Sequence, residues 1–271
     1  MTDFIHQNAL THLSRAETRL TSALARPQIV AVACIVALTA TGWLALGLFA
    51  SSFDVWDALC RAATPGDWGG ITFILPMWGA MVLAMMLPTA GPMILTYAEI
   101  ADTAAGKGER VVSPLVLAAG YAAIWLGFAI AATVLQIALT RAELLDNTKA
   151  GMLLAGAIFM IAGGYQFSAL KHACLSKCQR PFPFFFANWT EETQGVFRLG
   201  LRQGVYCLGC CWAMMLVMFA VGAMNIIWMA ALGILMTIEK MTGTRRFSHA
   251  VGAALLAIGL TLVASSIPWV G

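Results

Sequence analysis

Charge is what this sequence has least of. Asp, Glu, Lys and Arg make up 11% of its 271 residues, against about a quarter in an ordinary soluble domain, so no large soluble domain fits into it. Catalytic signatures are missing as well: there is no nucleotide-binding fingerprint, no His-Glu zincin motif and no Ser-His-Asp arrangement, which argues against ATP-driven pumping or hydrolysis within this chain. The formal net charge of +3 says little about partners and implies no nucleic acid, because positive charge on a membrane protein is first an orientation signal.

What the chain has instead is apolar length, 60% of its residues being hydrophobic. A hydrocarbon core of about 30 Å needs roughly 20 apolar residues per helix. Runs of that kind fall at about 28–50, 70–97, 113–139, 150–170, 201–223, 225–239 and 247–267. The fold class expected is therefore all-α, a polytopic integral membrane protein with seven spans. Six is the alternative, because the run at 225–239 is short and could form a re-entrant pair with the one before it. A polar N-terminal segment, 1–27, precedes a single transmembrane domain over 28–271. The first apolar run lacks a small-residue cleavage motif and reads as an uncleaved helix.

Orientation follows from the basic residues, which concentrate in cytoplasmic loops. With the N-terminus in the cytoplasm, the inside segments hold Arg15, Arg19, Arg26, Lys107, Arg110, Lys171, Lys177, Arg180, Arg198, Arg202, Lys240, Arg245 and Arg246, leaving Arg61, Arg141 and Lys149 outside. The loop at 171–200 then faces the cytoplasm, where thiols are kept reduced and a structural disulfide is disfavoured. A count of six spans, with either the first or the fifth misread, would invert this inference.

Five of the seven cysteines lie in two stretches, KHACLSKC at 171–178 and YCLGCCW at 206–212. Cys174 and Cys178 are one helical turn apart and share a face. His172 points elsewhere on a helix, but could join them from an irregular backbone. Cys207, Cys210 and Cys211 share a face at i, i+3 and i+4, which Met214, Met215 and Met218 continue. Thiolates with thioethers form a soft ligand set that suits Cu(I), while four cysteines could also hold Zn²⁺. Cys207-Leu-Gly-Cys210 also has the spacing of a redox-active pair, although no thioredoxin-like strand pattern surrounds it.

Methionines follow the same distribution. Met77, Met81, Met85, Met86 and Met93 form one group and seven residues from Met214 to Met241 another, although a methionine stripe is more often packing than ligand. Pro76, Pro88 and Pro92 interrupt the second run, and broken helices at membrane depth often build sites. Between the cysteine stretches, QRPFPFFFANWTEETQGVFR contains prolines expected to break helix. It reads either as a lid folding Cys174 and Cys178 back onto Cys207 or as a membrane-hugging connection. Glu99, Gln136, Gln166, Gln203, Asn225 and Glu239 are polar residues within or near apolar runs, where each tends to have a purpose. Glu239 also reads as a helix end at the interface.

Together WGAMVLAMMLP, YQFSALKHACLSKCQRP, GVYCLGCCWAMMLVMFAVGAMNIIWMAAL and the following Glu-Lys resemble a bacterial family of predicted metal-binding integral membrane proteins, some of whose members are labelled copper chaperones. The resemblance covers about 70–260. It implies a multi-pass protein of the bacterial inner membrane with a metal site near Cys174, Cys178, Cys207 and Cys210 or Cys211, copper as the ion, and a partner cuproprotein or metallochaperone. Cys34 and Cys60 lie outside this region and read as plain buried or loop cysteines.

Overall fold

A computed structural model describes residues 27–51, 69–145, 148–222 and 225–266. The polar N-terminal segment, Cys60, Arg61 and Met224 lie outside them. The described residues are helical, with no strand among them, in the order α1 (Pro27–Ser51), α2 (Gly69–Met81), a π turn (Val82–Met86), α3 (Leu87–Gly106), α4 (Pro114–Arg141), α5 (Lys149–Tyr165), α6 (Ala169–Gln179), α7 (Pro181–Ala187), α8 (Thr193–Val221), α9 (Ile226–Thr242) and α10 (Arg245–Ser266).

Five stretches are long and apolar enough to cross a membrane: 29–49, 73–106, 114–141, 193–221 and 245–266. A sixth is formed if α5 and α6, bent 65° to each other, count as one span. The expected crossing at 225–239 is α9, a helix of 17 residues. At 1.5 Å per residue it is about 26 Å long, short of a full hydrocarbon core. Outward-facing Leu44, Leu48, Val134 and Ile234 are all more than half exposed, as expected of side chains solvated by lipid.

Local chemistry explains where the helices start and stop. Ser113 caps α4 ahead of Pro114, Thr148 caps α5 and Ser168 caps α6, each accepting a backbone N–H of the first turn. Asn225 accepts from Ile227 and Trp228 N–H to start α9, and Gly243, at φ 62°, ends it. The prolines of the second run leave 73–106 one helical stretch that a π turn interrupts. The chain widens there by one residue, Leu87 N–H bonding Val82 O, so Pro88 follows a turn that already lacks regular α bonding. After the first cysteine stretch, Pro181 starts α7 rather than interrupting a helix, since the first turn needs no proline N–H.

The hub is α8, which packs against α4, α5, α6 and α9. Of its apolar window 56% is buried, against 17% for α1 at the periphery. Close approach of α4 and α8 rests on Gly120 and Gly200, where a Cβ on either would run into the other helix's backbone. Small residues at such crossings are how membrane helices gain contact without a hydrophobic drive.

Candidate metal centre

On α6 the face formed by Lys171, Cys174, Leu175 and Cys178 follows the i, i+3, i+4, i+7 pattern and turns towards the bundle, while Ala173, Ser176 and Lys177 are exposed. The connection through α7 returns the chain so that this face lies on α8. Phe185 anchors that connection: it is fully buried and meets Tyr97 edge-on, with Trp189 stacked on the other side. Phe182 and Phe186 remain exposed, so the segment both folds the cysteines back and carries an outer aromatic surface.

The two cysteine stretches therefore meet. Cys178 neighbours Cys207 and Cys210, and Cys211 neighbours the same two. Cys210 Sγ stands 3.3 Å from Cys211 Sγ and donates to Cys207 O at 3.1 Å. Cys207, Cys210 and Cys211 are buried, and all six described cysteines are free thiols. Cys174 lies one turn away, packed over Gly209, where a Cβ would come within 2.7 Å of its sulfur. Tyr165 Oη donates to the Gly209 carbonyl, tying α5 to the same point.

Among the described residues no group of three or more His, Cys, Asp or Glu side chains is already arranged to hold a metal ion. Cys210 is instead engaged with the Cys207 carbonyl and with Cys211 Sγ.

Three residues complete the surroundings of Cys207, of which the sequence pattern singled out neither Tyr121 nor Thr89. Tyr121 Oη on α4 lies 3.0 Å from its sulfur and donates to Met86 O of the π turn at 3.1 Å. Lys240 Nζ on α9 donates to the same sulfur at 3.0 Å and to Thr89 Oγ1 at 2.7 Å. Thr89 Oγ1 in turn donates to Met86 O at 2.8 Å. Cys207, Tyr121, Met86 O, Thr89 and Lys240 thus close a ring of hydrogen bonds. Lys240 was visible in the Glu-Lys pair of the family pattern. Tyr121 and Thr89 reach the site from helices with no cysteine, and no spacing rule points to them.

Other expected residues are placed differently. His172 is on the helical face away from Cys174, its ring 5.5 Å from that of His249 on α10. Met214 directs its sulfur to Gln166 Nε2 at 3.0 Å, and Met218 is fully buried. Met77, Met81, Met85 and Met86 are buried core residues. Gln136 accepts from Trp78 Nε1 at 2.7 Å. Glu239, in the last turn of α9, is buried: one oxygen pairs with Lys171 Nζ at 2.8 Å, the other accepts from Ser248, and both partners are buried.

No curated protein and no solved structure matches the chain. A family profile described as copper chaperone matches residues 75–262, a stretch that contains every residue of the thiol cluster and of the hydrogen-bond ring around Cys207. With most of its length accounted for in this way, the chain belongs to the copper chaperone family.

Proposed function

We propose that this protein binds copper as Cu(I) at the thiol cluster and hands it to a partner cuproprotein, the ion being cargo rather than a resident cofactor. The observation that carries the reading is the packing of the α6 cysteine face on α8, with Cys174 Sγ over Gly209 and Cys178 beside Cys207 and Cys210, about thirty residues away in sequence and on another helix. Cys178, Cys207, Cys210 and Cys211 are the ligand candidates, with Cys174 one turn away as a transfer position. Soft thiolates favour Cu(I) over hard divalent ions. Zn²⁺ remains the competing ion for four cysteines.

The membrane reading places the chain in a bacterial inner membrane with seven crossings, α9 being the short one, and the N-terminus in the cytoplasm. Thirteen of sixteen basic residues then fall inside, and α6 with its cysteines faces a reducing compartment. Delivery from the cytoplasmic face follows. The family description supports copper and a recipient protein; the apolar runs and the placement of basic residues support the crossings, and the meeting of the two cysteine stretches supports the ligands.

Metal analysis of the purified protein after Cu(I) loading tests the core of this. One copper per chain is expected for the native protein, with loss in Cys207→Ser and Cys178→Ser variants that elute like the native protein on size exclusion. Undiminished stoichiometric copper in both variants would sink the proposal.

A further inference from the structure

Lys240 presents an imbalance of charge. Among the described residues there is one ion pair, Lys171 with Glu239, and it consumes the carboxylate next to Lys240 in sequence. Glu239 and Lys240 leave α9 in different directions, the first to Lys171 and Ser248, the second to Cys207 and Thr89. Among the described residues Lys240 Nζ donates to Cys207 Sγ and Thr89 Oγ1 and has no carboxylate oxygen within 4.0 Å. An ammonium has thus been set against sulfur, in a cluster walled by buried apolar side chains, with no acidic residue to balance it.

We infer that Lys240 is a specificity-determining residue of the thiol site, supplying one fixed positive charge that selects a bound metal complex carrying one net negative charge. The inference rests on the copper reading proposed for the cluster. Binding two thiols to Cu(I) gives [Cu(SR)₂]⁻ and releases two protons to solvent, and with Lys240 the site is neutral. Closing a zinc tetrahedron with all four thiols gives [Zn(SR)₄]²⁻ and releases four protons, which leaves one uncompensated negative charge beside Lys240. Three-thiolate zinc balances the charge but leaves one tetrahedral position without a thiolate. In a poorly solvated site a net charge is costly, so the lysine tilts the balance toward the monovalent ion. Its direct bond to Cys207 marks that sulfur as one of the two ligands.

The test compares Cu(I) and Zn²⁺ affinities of the purified full-length protein in detergent, by competition with a chromophoric chelator for each ion. Lys240→Gln keeps length and hydrogen-bonding capacity but removes charge. It is expected to lower the ratio of Cu(I) to Zn²⁺ affinity by about tenfold or more, equivalent to about 1.4 kcal/mol. Lys240→Arg keeps the charge and should hold the ratio within about threefold of native, threefold being well under 1 kcal/mol. An unchanged ratio in a folded Lys240→Gln protein, or an equal loss of both affinities, overturns the inference. So does loss of copper preference in folded Lys240→Arg, a result that stands even where the Gln variant does not fold. Cys207→Ser runs alongside: full copper affinity there would refute the copper site itself, whereas lost affinity with an unmoved ratio in Lys240→Gln would refute only the role of Lys240.

Discussion

Replacing Glu239 by Gln breaks the one ion pair among the described residues. Glu239 and Lys171 are 2.8 Å apart with side chains 5% and 0% exposed. At an effective dielectric of about 20, unit charges at that distance attract by about 6 kcal/mol, most of it offset by the cost of taking both out of water. The Gln variant keeps the shape and a hydrogen bond to Ser248 but strands a buried ammonium. Breaking one side of such a pair costs about 3–5 kcal/mol, and at about 2–4 °C per kcal/mol for a domain of this size the thermal midpoint falls by on the order of 10 °C. The assay is thermal unfolding in detergent followed by size exclusion, with Lys171→Met/Glu239→Leu as the paired control, which should recover most of the loss because no charge is left unpaired. Because Lys171 and Cys178 lie on one face of α6, the Gln variant should also speed alkylation of Cys178 by a maleimide. A midpoint within about 2 °C of native, equivalent to under 1 kcal/mol, would refute the reasoning.

The remaining predictions concern the site and the crossings. Tyr121→Phe removes the hydroxyl from the ring, which takes one hydrogen-bond partner of about 1 kcal/mol from the Cys207 sulfur, and should weaken copper binding about fivefold without unfolding the protein, measured by the same chelator competition; unchanged affinity would deny the tyrosine a place at the site. Gly209→Val puts a branched side chain where Cys174 Sγ now lies and should leave Cys174 more reactive to alkylation than in the native protein, as read by mass spectrometry. Gln136→Leu leaves Trp78 Nε1 buried without an acceptor, costing about 1–3 kcal/mol in the thermal assay. For seven crossings, a reporter active only outside the cytoplasm should be active when fused after residue 266 and inactive when fused within 180–192; activity at the latter would reverse the orientation.

The helices were legible because lipid-facing residues demand unbroken apolar runs, so α1, α4, α8 and α10 could be read from length alone. The pairing of Cys178 with Cys207 was legible in part, since i, i+4 spacing set each cysteine on a face, but which faces met depended on the 65° bend after Tyr165 and on α7. Neither bend nor helix is coded by periodicity. Pro181 reads as a breaker in isolation and acts as a helix start because of its position. His172 was misplaced by allowing an irregular backbone where Ser168 caps a regular helix. Tyr121, Thr89 and Lys171 were invisible because their roles exist only across helices, where a single sequence holds no register.

The hydrogen-bond ring around Cys207 has a consequence in the counting of protons. Tyr121 has one hydroxyl hydrogen and two neighbours, Met86 O and the Cys207 sulfur. While the hydroxyl points to the carbonyl, the thiol supplies the hydrogen between sulfur and tyrosine. Once the thiol surrenders that hydrogen to make room for a metal, the hydroxyl can swing to the sulfur, and Met86 O still keeps Thr89 as a donor. Exchange of a proton for a metal ion then requires the turning of a single O–H bond and strands no polar group at the centre of a protein otherwise walled in hydrocarbon.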